Sequence, residues 1–227
     1  MTGRLRAALA ALCLVPFLAG CASDPTLPAA TTTLAASTQA VLGRLALLRP
    51  APPAAAPAPL TRARIDASAR PLRIITLEAR RVTDAVAETH RIGDVAVHRT
   101  VPGLLFAFRD GVLVATRGLG PDLMSADVPS AASLRRASGG HRRVHDYLTG
   151  TDATLRLALD CTLAPGGSET LDLFGLALPT RIVVERCAAP GLAIENRYWF
   201  DAQGRIRQAR EWIGPAAGHI VSADPMR

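Results

Sequence analysis

No lysine occurs anywhere in the chain: all 26 basic residues are arginine, against 19 acidic ones. That absence excludes a Walker-A phosphate loop, Schiff-base chemistry and any Ser–Lys nucleophile pair. Aromatic residues are scarce too, nine in 227 positions, which argues against a stacking platform for single-stranded nucleic acid. No nucleic-acid partner is expected. Neither G-x-S-x-G nor H-E-x-x-H is present, so the familiar hydrolase signatures fail. Gly118-Leu119-Gly120 is followed by Pro121, with no third glycine and no lysine. It reads as a tight turn and not as a nucleotide loop. The net charge of +7 falls to +5 without Arg4 and Arg6, a modest value for a soluble domain.

Arg4 and Arg6 precede an apolar run, Ala7 to Phe17, broken only by Pro16. The run is well short of the about 20 residues a spanning helix needs. It ends in Leu18-Ala19-Gly20-Cys21, small residues ahead of a cysteine, which resembles the lipobox of bacterial lipoproteins. Residues 1–20 are then a signal peptide and Cys21 the lipidation site, its thiol carrying diacylglycerol and its new amine a palmitate-type chain. An ordinary signal peptide with an incidental cysteine is the alternative. Ala22, not Asp, follows Cys21, which points to the outer membrane with the chain facing the periplasm. Several acyl chains anchor stably where one binds marginally, so the membrane is a partner through the lipid anchor. Cys13 leaves with the signal peptide, and Cys161 and Cys187 remain in an oxidising compartment, where a disulfide is expected. A two-cysteine metal site is the alternative, but no histidine lies near either cysteine in sequence.

Residues 21–32 are rich in Pro, Thr and Ala and read as a tether. Leu34, Thr38, Val41, Leu42, Leu45 and Leu48 recur at helical spacing, which predicts an amphipathic helix over 33–49. Residues 50–59 are entirely Pro and Ala, an extended linker. From 60 to 227 the period changes to alternation. Leu72–Leu77, the run from Val82 to Glu88, and Phe106–Arg109 with Val112–Val114 across Asp110-Gly111 read as strands. So do Leu155–Cys161, with its odd positions on one face, Arg181–Cys187, and Asn196–Phe200 with Arg205–Ile213. Only Ala131–Ala137 looks helical in this part. The fold class is therefore mainly β: an antiparallel meander forming a curved sheet or partly open barrel, with a short N-terminal helix.

His141-Arg142-Arg143-Val144-His145-Asp146 offers two histidines that would share a helix face. The surroundings read as strand, which splays the rings, so the stretch is taken as solvated and basic, and no metal or other cofactor is expected. Tyr198, Trp199, Phe200 and Trp212 lie on one hairpin. They could stack on sugars, but alternation must bury at least one side, so core packing is the stronger reading. Asp110, Asp122, Asp127 and Asp146 are the candidate carboxylates for a glycosidase pair, and no spacing singles out two. Asp122 reads as a turn cap that Asn could replace. No catalytic residue is assigned.

Two segments carry a family resemblance. Asp110-Gly111-Val112-Leu113-Val114-Ala115-Thr116-Arg117-Gly118-Leu119-Gly120-Pro121-Asp122-Leu123 resembles a glycine, a hydrophobic run, then T-R/A-G-L-x-x-D-L in the YjbF/GfcB family of capsule and exopolysaccharide lipoproteins. Glu185-Arg186-Cys187, then Asn196-Arg197-Tyr198-Trp199-Phe200-Asp201, Gly204 and Arg210-Glu211-Trp212-Ile213-Gly214-Pro215, resembles its N-x-Y-W-x-D-x-x-G…S-R-Q-W-x-G-P pattern. Ala209 stands for the Ser and Glu211 for the Gln. The resemblance covers about Leu72 to Gly218 plus the lipobox, with the Pro/Ala stretch outside it. It implies a YmcC-like β fold and a role in secretion of a capsule or exopolysaccharide; with no active-site signature present, the expectation is a non-enzymatic accessory to export or assembly, with export proteins or the polymer as partners. A periplasmic carbohydrate-active enzyme is the rival reading.

Overall fold

A computed structural model describes residues 59–101, 103–148 and 153–227. The expected signal peptide, tether, 33–49 helix and linker residues 50–58 lie outside these. Twelve strands follow one another: β1 (Leu72–Leu77), β2 (Val82–Ile92), β3 (Val95–Arg99), β4 (Leu105–Arg109), β5 (Val112–Arg117) and β6 (Leu123–Asp127). Then come β7 (Gly140–Leu148), β8 (Thr154–Asp172), β9 (Ala177–Ala189), β10 (Leu192–Phe200), β11 (Ile206–Gly214) and β12 (Gly218–Ala223). Helix α1 (Arg62–Asp66) is capped by the Thr61 hydroxyl, and α2 (Ala131–Arg135) by that of Ser130. The expected strands correspond to β1, β2, β4, β5, β8, β9, β10 and β11, and the expected helical stretch to α2; β3, β6 and β12 were not anticipated. One five-residue turn is too short for a helical period to register, so α1 was not anticipated.

The strands form one antiparallel sheet in the order β5-β4-β3-β2-β1-β12-β11-β10-β9-β8-β7-β6. Within the order, the first and last strands of the chain pair, Ile74 with Ala223 and Leu77 with Ile220. Two meanders are thus sewn together at their ends, and the two unpaired edges, β5 and β6, are consecutive in sequence. The sheet curls into a nearly closed barrel. Ile75, Val86, Phe106, Phe108, Leu113 and Ile220 fill one part of the interior. Leu134 of α2 packs with Val183, Tyr198, Phe200 and Ile206 in another.

The β8–β9 hairpin is long and its register shifts between Pro165 and Ser168. At that bulge a Cβ on Gly166 would come within 2.8 Å of the Ile182 and Val184 methyls, so only glycine lets the backbone lie on them. Beyond it Leu171, Leu173 and Leu178 cover Ile182, Val184 and Trp199. This buries the aromatic residue that alternation puts on the outer face. Along β8 the expected buried face holds at Leu159 and Cys161, but Leu155, at the strand's start, is 56% exposed.

Cys161 and Cys187 are direct cross-strand neighbours on β8 and β9 and are joined by a disulfide. Closing a loop of 26 residues stabilises the fold by roughly 3.5 kcal/mol on the chain-entropy model. Peptide mapping without reductant should recover the two cysteines linked. The Cys161→Ser/Cys187→Ser variant should melt roughly 10 °C lower. An unchanged melting temperature would contradict this role for the bridge.

Candidate functional site

The first motif segment builds the seam of the barrel. Asp122 accepts from Gly118 N with Oδ2 (2.8 Å), and from Leu119 N (3.0 Å) and the Thr116 hydroxyl (3.1 Å) with Oδ1. Thr116 Oγ1 in turn accepts Leu123 N at 3.0 Å. The Arg117 guanidinium donates to the Leu123 and Met124 carbonyls of β6 at 3.1 and 3.2 Å, and also to Thr116 O. Side chains thereby satisfy backbone groups that no β5–β6 ladder pairs. Leu119 and Leu123 are buried, while Gly120 is an exposed turn residue. Asp122 does cap a turn, as expected, but it uses both carboxylate oxygens as acceptors. An Asn there keeps one acceptor and turns a donor toward another donor.

The second segment converges on a cluster inside the barrel. On β7, His141, Arg143, His145 and Tyr147 alternate inward; Arg143 and His145 are each 1% exposed. The expectation of a solvated basic stretch is therefore corrected: a strand with polar residues on its inner face hides them when charged partners wait on facing strands. Glu185 of β9 and Glu211 of β11 are those partners, both buried. Arg143 Nη2 donates to the Tyr198 hydroxyl at 3.0 Å. That hydroxyl lies 3.1 Å from Glu185 Oε2 and 3.2 Å from Glu211 Oε1. Arg143 Nε is 3.2 Å from Glu185 Oε1 but lacks hydrogen-bond alignment, so the attraction there is coulombic. His141 Nε2 donates to Glu185 Oε1 (2.6 Å) and Asn196 Nδ2 to Oε2 (2.7 Å). Leu113 N reaches Glu211 Oε2 at 3.1 Å. Asn196 also repairs the sheet, its Oδ1 accepting Trp212 N (2.8 Å) just past the last β10–β11 pair, Arg197 with Arg210.

The two carboxyls are pushed apart. Burial raises Glu185, but Arg143 and the bonds from His141 and Asn196 outweigh it and hold it at about 2. Burial lifts Glu211 to about 7, partly offset by Arg143 and Leu113 N–H. A protonated Glu211 can donate to the Tyr198 oxygen while Tyr198 donates to Glu185, which uses one hydroxyl proton and both lone pairs. Arg143 and Glu185 then form one cation–anion pair, and Glu211 behaves like the neutral Gln of the family pattern. Ala209, the other departure, faces Ser222 across β11–β12, and among the described residues the buried Ser222 hydroxyl has no hydrogen-bond partner.

His141 Nε2, Cys161 Sγ and the Glu185 carboxylate lie within 4.8 Å of one another. His141 entered the sequence reading only as a partner for His145; β7–β8 pairing instead sets it opposite Cys161. The Cys161 sulfur is bonded to Cys187, and Glu185 is engaged by three side chains, so the set is committed elsewhere. His145 bonds the Tyr147 hydroxyl (3.0 Å) and stacks on Trp212 at 14°. Tyr198, Trp199, Phe200 and Trp212 are all buried, with Trp199 Nε1 on Glu169 (2.9 Å). Asp201 closes its loop by accepting Arg205 N at 2.8 Å. The Tyr147 ring packs on Gly214, and Pro215 is exposed in the next turn. Asp110 sits at the β4–β5 turn with φ +49°, and Asp127 ends β6. Asp146 is held by Arg156 (2.8 Å) and Ser125 (3.2 Å). None of the four expected carboxylates shares a bonding partner with another; Asp127 and Asp146 come nearest, as diagonal neighbours across β6–β7. Glu185 and Glu211, the pair that does meet, stood in the quoted motifs but not among the candidates.

Glu211 keeps a proton in the fold that the unfolded chain, with its ordinary value of 4.5, releases. Its contribution therefore falls as pH rises from about 4.5 to 7. Glu185 has the opposite slope, losing stability as pH falls from 4.5 toward 2. His145, held at about 4 first by burial and then by Arg143, loses it from 6.5 down to 4. Glu211→Gln should raise the melting temperature more at pH 8 than at pH 5, by roughly 5 °C. An advantage that shrinks toward pH 8 would contradict the assignment.

No curated protein matches the chain significantly. Among solved structures, the hypothetical lipoprotein YmcC from Escherichia coli K12 superposes with a TM-score of 0.64 at 16% identity. The match covers 86% of this chain and 96% of that one, and it establishes a shared fold. The family model described as "Group 4 capsule polysaccharide lipoprotein gfcB, YjbF" matches residues 31–222. The matched region thus begins well before Leu72 and spans the Pro/Ala stretch that sequence reading had set outside it. On that extent, the chain belongs to the YjbF/GfcB family of group 4 capsule polysaccharide lipoproteins.

Proposed function

We propose that this protein is an outer-membrane lipoprotein, anchored through acylated Cys21 on the periplasmic face, that assists secretion or assembly of a capsule or exopolysaccharide without catalysing a reaction. One observation carries the non-enzymatic part: the motif residues able to do acid–base chemistry in the barrel, Asp122, Glu185 and Glu211, are spent on closing the seam and on a buried ion cluster. A glycosidase needs two carboxyls astride a sugar, roughly 5 to 9.5 Å apart and open to it. Glu185 and Glu211 meet but are shut inside, Asp110 and Asp122 sit in turns, and Asp146, the diagonal neighbour of Asp127, is tied to Arg156 and Ser125. Family membership over residues 31–222 supports the polysaccharide link, and the Leu18–Cys21 lipobox supports the anchor.

Deleting the gene should lower extracellular polysaccharide and leave cytoplasmic sugar-nucleotide precursors unchanged. Cys21→Ala should lose palmitate labelling and leave the membrane fraction. Normal polymer output in the deletion strain, or cleavage of the polymer by purified protein, would overturn the accessory reading. Unchanged labelling of Cys21→Ala would overturn the anchor.

A further inference from the structure

Three walls of different origin meet in an open groove of about 770 Å³ beside α2. That helix contributes Arg135 and Arg136, the β8–β9 hairpin contributes Ser168, Thr180 and Arg181, and the β10–β11 loop closes the third side. The volume lies within the roughly 300–1,000 Å³ of ordinary ligand sites. We propose that this groove binds a carboxylate-bearing stretch of polysaccharide, of the uronic-acid class. The inference rests on the polysaccharide reading above and names the substrate class and the surface that would meet it.

Charge is the first ground. Among the described residues, none of the three guanidiniums pairs with a carboxylate. Arg181 Nη2 donates to Arg135 O (2.7 Å) and Arg136 Nη2 to the Ser133 hydroxyl (2.9 Å), which leaves most of each five-donor fork free. The carboxylate on the wall, Asp201, is already held by Arg205 Nε at 3.0 Å, with Arg207 Nη1 at 3.7 Å. The groove is therefore positive, and forked guanidiniums match planar carboxylates in pairs.

Construction is the second ground. A Cβ at Gly204 would collide with the Arg135 guanidinium, and Gly204 has φ +78°. The turn's positive φ is what requires glycine there, and the Arg135 guanidinium lies against it. The bond from Arg181 to the Arg135 carbonyl then fixes the hairpin against the helix end. Arginines scattered on a surface are unremarkable in a chain with 26 of them. Three that converge on a groove, one of them seated on a motif glycine, form a surface shaped for an anion. Ser168 and Thr180 bring hydroxyls to the same surface, although Thr180 already donates to Glu169 O at 2.6 Å.

Titration calorimetry on the full chain in detergent tests this, with hexagalacturonate as probe, maltohexaose as the neutral control and inorganic phosphate as the simple anion. Hexagalacturonate should bind, weakening as salt rises, and maltohexaose should not. Arg136→Gln and Arg181→Gln should each weaken it about fivefold, while Arg142→Gln, an exposed change on β7, should not. Melting temperatures of Arg136→Gln and Arg142→Gln should match the parent, while Arg181→Gln, which loses its bond to the Arg135 carbonyl, should melt about 2 °C lower and still be fully folded at the titration temperature. Equal binding of maltohexaose, full affinity in both groove variants, or phosphate competing at concentrations equal to those of the hexamer would overturn the proposal. If binding holds but the deletion strain secretes normally, the functional reading fails and the groove stands. If binding fails while secretion still needs the gene, only the groove proposal falls.

Discussion

The Arg143 guanidinium, sealed inside the barrel, sets the terms for the rest of the interior. A buried charge without a partner costs several kcal/mol, so strands that reach it must bring anions and acceptors. Glu185 of β9 and Tyr198 of β10 do so directly, and Glu211 of β11 adds a second carboxyl 3.5 Å away. Through Leu113 N the same cluster also reaches β5. One cation thus ties together strands that lie far apart in the sheet order. Such a pair adds little net stability over apolar packing, but breaking it by removing one partner costs about 3–5 kcal/mol. The second carboxyl would leave an excess anion, and burial answers by keeping its proton.

A sheet that ends in two consecutive strands has a different difficulty. β5 and β6 present unpaired backbone groups at the barrel's edge, a liability that proteins must cover. Thr116, Arg117 and Asp122 cover it with side-chain bonds to the β6 backbone and to the connecting turn. The two segments that resemble the family therefore serve architecture, one at the seam and one around Arg143. Asp201 and Gly204, within the second segment, also line the groove beside α2.

Much of the fold was legible because apolar or β-branched runs mark β1, β4, β5 and β9, alternation marks parts of β2 and β8, and Asp110-Gly111 marks its hairpin plainly. The disulfide followed from compartment and count. The cluster was not legible, since Arg143, Glu185 and Glu211 are distant in sequence and become neighbours only through strand order. Polar residues alternating inward on β7 look like a wetted strand until charged partners face them. Core packing was expected for Trp199 and is found, but the cover that buries it, the β8–β9 hairpin, is not readable from alternation. The groove depends on three loops and helix ends, where no periodicity exists to read.

The account stands on a single net anion beside Arg143, with Glu185 ionised and Glu211 protonated. Carboxyl carbon shifts of the two glutamates, followed by NMR across a pH series in the folded protein, measure this directly. Glu211 should titrate near pH 7 and Glu185 should stay ionised down to the acid edge of the folded range. If Glu211 titrated near 4.5 like an exposed carboxyl, or the two exchanged roles, the cluster would not be the neutral pair that the barrel's interior requires.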